Sequence, residues 1–504
     1  MGSSYVARGW PSRSGARVAT SGGLSLMIWL NRSFALPVPV MLNDERTILS
    51  TKQAPWYTDL RELAWRTRYD GGSFQQTPTA WNPAMAKRFI LVAFIWLIAT
   101  SSSNAQFLKA RKGDWPWWRG PSGNGIAAAG QKPPVSWSES NNIVWKNAVP
   151  GRGHASPTVV GNRIFLCTAD DKELTQSILC YDRKTGKRLW AKLINKGAFP
   201  GRINRKNTHA SPSVASDGKK IYATFLNNDR LQAVALDFNG KKVWEHDCGL
   251  FKPNQYKNGY ASSPFLYGKL VIVAGDFDGK GYLTAVNQET GKEVWKTNRP
   301  ARVNYASPVV APVNGRHQLL ISGCDMVAGY DPLTGKQIWK SSATTMATAG
   351  TMVWHKNLVF ASGGYPDAET ACVKADGSGE VVWRNNQKCY EQSLISYKGY
   401  IYAMTDRGIV FCWNAMTGKE QWRKRLQGPI SASPVVANDN LYITNERGTT
   451  WVIKTNPKQY QLVAKNQLGT DAFASIAICG SQIYMRVAKR VGGERQETLY
   501  CIGK

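Results

Sequence analysis

The sequence predicts an all-β fold: an eight-bladed β-propeller of four-stranded blades, its ring closed by an N-terminal strand that completes the last blade. Three observations lead there. The 504 residues include 20 Trp and 46 Gly, with 43% hydrophobic and 19% charged residues, a mix that suits many short strands joined by tight turns. Beyond residue 140 a unit recurs, its repeated Trp falling every 39 to 54 residues. The first and last copies of that unit are incomplete in complementary ways.

The clearest part of the unit is its end. "DRKTGKRLW" (182–190), "NQETGKEVW" (287–295), "DPLTGKQIW" (331–339) and "NAMTGKEQW" (414–422) align without gaps, and "DFNGKKVW" (237–244) and "DGSGEVVW" (376–383) are shorter-turn versions. The leading Asp or Asn can cap a turn with its side chain, and Gly186, Gly291, Gly335 and Gly418 supply the positive φ such a turn needs. Trp145, Trp190, Trp244, Trp295, Trp339, Trp383 and Trp422 end a fourth strand as large flat residues that cover the edge between neighbouring sheets. Because the motif recurs in nearly every unit, it is structural rather than a phosphate or cofactor box.

Each unit also starts alike: "HASPTV" at 154, "HASPSV" at 209, "YASSPF" at 260, "YASPVV" at 305 and "SASPVV" at 431, with worn copies at 347, 391 and 471. Apolar runs such as "RIFLCT", "KIYATF" and "NLYITN" fill the interval, followed by a second run such as "SILCYD" or "IVFCWN". Strands A to D follow from this. The last unit, 471–504, stops after its third strand, while "NNIVW", ending at Trp145, is a fourth strand with none before it. A single such sheet cannot bury both faces, so blades must stack around a ring, and the two defects cancel when the ring closes.

Four segments precede or make up this array. Residues 1–84 carry no sustained period and read as a non-native or disordered extension. "MAKRFILVAFIWLIATSSSNA" (85–105) has Lys87-Arg88, an uninterrupted apolar core over 89–100, and a small-residue end. That core covers 12 residues, short of the roughly 20 a membrane span requires. It is expected to act as a signal peptide, with Met85 as the true start, cleavage after Ala105 and Gln106 at the mature N-terminus. No Cys follows the cleavage point, so no lipid anchor is expected. Residues 106–140 form a Trp-rich lead-in, and 141–504 the propeller.

Units with "SPxV", "TGKxxW" and eightfold closure resemble the pyrroloquinoline-quinone (PQQ)-like propeller repeats, over about 114–504; "DWPWWRGPSGNG" (114–125) is similar to the lead-in of secreted bacterial members. That family includes quinoprotein alcohol dehydrogenases, an outer-membrane assembly scaffold lipoprotein and kinase-attached sensor domains, so function must be argued from the site. The resemblance implies, for a dehydrogenase, a Trp floor, a Ca²⁺ held by carboxylates and an Asn, an Asp base and often an adjacent Cys pair. This chain has no Cys-Cys and no C-x-x-C-H, and its insertions between units are short. "DFDGKG" (276–281) opens like a Ca²⁺ loop but lacks further ligands at the right spacing and reads as a turn. It has no kinase elements.

Two His and two Tyr occupy the slot before strand A: His154, His209, Tyr260 and Tyr305. With Arg152, Arg202, Asn258 and Asn304 they are the candidate ligand rim at one mouth of the channel, set against ordinary rim hydrogen bonding. Two His without a third ligand make no metal site. Cys180, Cys412 and Cys501 sit where other units have Ala235, Ala285 and Gly329, a slot that wants a small residue; Cys167, Cys248, Cys324, Cys372, Cys389 and Cys479 are left open to a disulfide after export. Trp115, Trp117 and Trp118 look like a carbohydrate platform in isolation, but packing of the lead-in against the disc is the expected use. Residues 106–504 carry a net charge of +24, spread without a dense basic block, which reads as a solvated surface rather than a nucleic-acid site. The expected function is an exported, non-catalytic binding scaffold of the cell envelope. It would be soluble, periplasmic or extracellular, without an integral span after cleavage, and would bind a protein or an envelope polymer. No cofactor is expected; PQQ with calcium belongs to the alternative, a quinoprotein dehydrogenase.

Overall fold

The computed structural model describes residues 107–504; the expected extension 1–84, the expected signal peptide 85–105 and Gln106 lie outside the described residues. Among them there are eight four-stranded antiparallel sheets and no helix. Seven blades run A-B-C-D in chain order, from 158–196 through 435–467. The eighth takes A, B and C from the C-terminus (Ala477–Cys479, Gln482–Val491, Glu494–Ile502) and D from Ile143–Val149. Trp145 pairs with Cys501 across that seam, and the Gly503 N–H donates to the Asn142 carbonyl at 2.9 Å. The closure expected from the two incomplete units is therefore the observed one.

The turn chemistry follows the residue types. Asp182 Oδ1 accepts from the Thr185 N–H and hydroxyl, both at 2.8 Å, and Asn287, Asp331 and Asn414 cap their turns in the same way. Trp does not end strand D, as expected from sequence, but stands near its start: Trp190 is third in Arg188–Lys196. Opposite each Trp on strand C lies a small residue: Cys180, Ala235, Ala285, Gly329, Cys372, Cys412 or Cys501. The small slot is thus a seat for the indole, and Cys372 belongs to it with the three cysteines assigned there. All nine cysteines are buried free thiols.

Each indole then reaches the next blade. The Nε1–H groups of Trp145, Trp190, Trp244, Trp295, Trp383 and Trp422 donate to carbonyls at the following blade's C–D turn, at 2.8–3.2 Å. Trp339 differs: it donates to Gln318 Oε1 at 2.6 Å, and Gln318 Nε2 passes the link to the Ala375 carbonyl at 2.8 Å. The recurring Trp is a fastener between blades, which accounts for its recurrence.

The lead-in crosses one end of the channel. Trp115 bridges Val159 of blade 1, the Ser216 N–H of blade 2 donates to Pro116, and Trp117 packs near Phe265 of blade 3. Arg119, fully buried, donates to the carbonyls of Pro434 and Leu394 at 2.8 and 2.9 Å, and Ile126 bridges Val436. Packing against the disc is therefore what these tryptophans do.

Candidate functional site: a two-tiered polar funnel

Strand A of every blade begins two residues after a hydroxyl: Ser156, Ser213, Ser263, Ser307, Thr351, Ser393, Ser433 and Ser475. These eight circle the channel. The backbone N–H of Ser156 donates to Ser213 Oγ, Ser213 to Ser263, Ser263 to Ser307, Thr351 to Ser393, Ser393 to Ser433, Ser433 to Ser475 and Ser475 back to Ser156, all at 2.8–3.0 Å. Side chains small enough to converge at the axis, with an acceptor to offer, are what this position requires. The Trp118 indole donates to Thr351 Oγ1 at 2.8 Å and forms the floor.

Two residues further back along each chain lies a second ring: His154, Ser211, Ala261, Tyr305, Ala349, Glu391, Ser431 and Phe473. With six of the eight hydroxyl residues (all but Thr351 and Ser393), Trp118 and the entry-loop residues Asn204, Lys206, Asn207, Asn258 and Tyr390, it lines a cavity of about 190 Å³. The lower tier is nearly uniform and structural. The upper tier varies from blade to blade, and selectivity can reside there.

One side of the mouth is neutral. Asn258 Nδ2 donates to the Tyr305 hydroxyl at 2.8 Å, Asn207 Nδ2 to the Asn258 carbonyl at 2.7 Å, and Ser211 Oγ to Asn207 Oδ1 at 2.5 Å. The hydroxyls of Tyr256 and Tyr365 lie 3.0 Å apart just outside. The other side holds Lys206, whose ammonium is 2.6 Å from Glu446 and 3.5 Å from Glu391. Burial pushes the Glu391 carboxyl above the usual carboxylate range, and the Ser431 and Lys206 contacts do not reverse it. Asp406 behind it is raised for the same first reason. His154 stacks on Phe473 at 4.5 Å; burial, and then the charges of Arg152, Arg495 and Arg486, hold its pKa well below the ordinary value, so the imidazole is neutral.

Of the eight residues expected at the rim, His154, Asn258 and Tyr305 line the cavity. The other five do not. His209 packs at a tilt against Phe199, ring centroids 4.2 Å apart, outside the cavity, and Tyr260 is buried with its hydroxyl on the Ala274 carbonyl at 3.0 Å. The reason is register: His209 lies four residues before its ring hydroxyl and Tyr260 three, whereas His154 and Tyr305 lie two before theirs, so Ser211 and Ala261 take the equivalent places. Asn304 is an internal strut, donating to Asp276 Oδ2 at 2.9 Å and the Ser322 carbonyl at 2.8 Å. Arg152 donates to the Arg205 carbonyl at 2.9 Å, and Arg202 is exposed. Lys206, Glu391, Tyr390 and Phe473 escaped the sequence reading; the hydroxyl two residues before each strand A was the usable signal.

The turn at 276–281 has its carboxylates engaged. Asp276 is buried against Arg299 (2.9 Å), and Asp278 accepts the N–H groups of Asn254 and Gln255 at 2.8 and 2.7 Å. Among the described residues no group of three or more His, Cys, Asp or Glu is placed to hold a metal ion, and no helix is long and apolar enough to cross a membrane.

A family model described as "Outer membrane protein assembly factor BamB" matches residues 102–202, 174–387 and 367–459, an unbroken run from 102 to 459. Tetrathionate hydrolase of Acidithiobacillus ferrooxidans is 22% identical over 61% of this chain, which spans 66% of that relative's length. Outer membrane protein assembly factor BamB of Bordetella pertussis is 21% identical over 64% of this chain and 78% of its own. Among solved structures, a europium-containing methanol dehydrogenase superposes with a TM-score of 0.57 at 12% identity, covering 78% of this chain and 98% of its own.

Proposed function

The chain belongs to the family of the outer membrane protein assembly factor BamB, and on that footing we propose that it is an exported, non-catalytic binding scaffold of the cell envelope, engaging a protein or an envelope polymer. It is a PQQ-like propeller related both to that assembly factor and to quinoprotein dehydrogenases, so the choice between scaffold and enzyme rests on the funnel.

The observation that carries the scaffold reading is the state of Lys206. PQQ is a planar quinone bearing several carboxylates and used with a divalent cation, so its site needs free cationic groups and free carboxylates. Trp118 offers a floor, but Lys206 carries the single positive charge among the described residues lining the cavity, and Glu446 and Glu391 already hold it. A divalent ion between those carboxylates would have to displace a tethered ammonium. The residues present do not fit the cofactor.

The test is equilibrium dialysis of the purified protein with PQQ and Ca²⁺, followed by an alcohol-dependent dye-reduction assay. The expected outcome is neither stoichiometric uptake nor reduction; both together establish the dehydrogenase instead. Export is tested by sequencing the N-terminus of the protein recovered outside the cytoplasm, where Gln106 is expected.

A further inference from the structure

The funnel has hydrogen-bonding capacity that the fold does not use. Ser156, Ser213, Ser263, Ser307 and Ser475 each accept a backbone N–H, yet none donates its own O–H to an acceptor among the described residues. His154 Nε2 is buried without a partner. Above them lie Asn204, Asn207 and Asn258, whose amides are engaged with one another, with Tyr305 and with Ser211, and Trp118 completes the lining.

Charge narrows the ligand class. His154 is neutral and the Lys206 ammonium is held by Glu391 and Glu446, so an anion meets no free cationic group, and the two carboxylates already share one ammonium. A ligand that fits must offer several groups that accept and donate at once, carry no net charge, and present a C–H face to an indole. The volume, about 190 Å³, lies below the roughly 300–1,000 Å³ of sites for drug-sized ligands, which limits the occupant to one small ring.

We propose that the funnel binds a single neutral sugar ring, free or at the end of a chain, stacked on Trp118 and held by the inward-facing serine hydroxyls and His154 Nε2. This deepens the binding-scaffold reading and rests on it. Selectivity lies in the upper tier, where Ala261 and Ala349 leave the space that the ring enters.

Saturation-transfer NMR on the full chain tests this with D-glucose and N-acetyl-D-glucosamine as free rings and maltotriose and chitotriose as chain ends; glucuronate and alanyl-alanine are controls. Transfer to the ring protons of at least one neutral sugar is expected, reduced at least tenfold by Ala349→Phe and by Ala261→Phe, which fill the cavity without removing a polar contact. Both variants should keep the wild-type melting curve. Transfer to a trisaccharide but to neither monosaccharide marks a chain end as the ligand; transfer to a monosaccharide marks the free ring. No transfer from any neutral sugar, transfer indifferent to both filled variants, or preference for a control overturns the proposal and leaves a water-filled channel. PQQ uptake with dye reduction overturns the scaffold reading itself, a separate result.

Discussion

At the scale of single residues, the glycines of the C–D turns do two jobs that can be separated. Gly291 has φ +69°, and a Cβ there would stand 2.7 Å from the Trp244 indole of the preceding blade. Gly315, in the A–B turn of blade 4 rather than a C–D turn, has φ +70° with open space around it. Gly315→Ala meets only the left-handed backbone penalty, about 1–2 kcal/mol. Gly291→Ala also displaces the indole, so urea denaturation should show a loss larger by at least about 1 kcal/mol, in the range that strain and overpacking produce. Equal losses would mean that the indole is not seated on the turn.

Glu391 makes a second residue-scale prediction, on pH. Its raised pKa means that the native state keeps its proton to higher pH than the unfolded chain does, so stability is lost as pH rises through the folded value. Glu391→Gln removes that loss, while Lys206 keeps its shorter contact, 2.6 Å, to Glu446. The variant should melt above wild type at pH 8, with the gap closing towards pH 4. A variant that melts lower at pH 8 would show the Lys206 ion pair outweighing burial.

At the scale of elements, every C–D pair shifts register immediately after the small-residue seat, as between Cys180 and Tyr181 or Ala285 and Val286. Such a bulge bends and twists the outer strand. Blade 7 keeps the shift between Val452 and Ile453 but has Ala464 where the others have Trp. The missing Trp has a reason: blade 8 takes strand D from the N-terminus, so no covalent C–D turn exists there for an indole to grip. The blade 8–blade 1 junction keeps its fastener, Trp145 on the Arg183 carbonyl at 3.0 Å, and adds a buried ion pair. Arg486, 2% exposed, contacts Glu497 Oε2 at 2.5 Å and donates to the Cys167 carbonyl of blade 1 at 2.7 Å, while the Gly153 N–H reaches Glu497 Oε1 at 3.3 Å. Arg486→Met leaves the buried Glu497 carboxylate with Arg495, at 3.0 Å, as its remaining cationic partner, so a loss of about 3 kcal/mol, the lower end for a broken buried pair, is expected in denaturant unfolding. The double change Arg486→Met with Glu497→Leu should recover much of it, which a loss due to poor packing alone would not.

At the scale of the whole molecule, the ring depends on a strand from the opposite end of the chain. Deleting residues 107–149 removes the lead-in and the eighth blade's outer strand, leaving Glu494–Ile502 an unpaired edge. Larger oligomers or precipitate should replace the intact chain's species on size exclusion, and an unchanged elution with an unchanged melt would refute closure as the source of integrity. The blade count, the turn chemistry, the recurrence of the Trp and this closure were legible in the sequence, because each depends on contacts repeated at a near-constant period; the place of the Trp near the start of strand D was not. The funnel was legible only in part: His154, Asn258 and Tyr305 reach it, while His209 and Tyr260 are displaced by insertions of two and one residues before strand A. Lys206, from the loop entering blade 2, meets Glu391 and Glu446 of blades 6 and 7 across the axis, a pairing of residues 185 and 240 positions apart that no local pattern encodes. Sequence alone determined the architecture, since strand alternation and turn geometry are short-range properties of the chain. Only the tertiary structure decided what the channel contains, because ring curvature brings together side chains from all eight blades whose spacing along the chain carries no trace of their meeting.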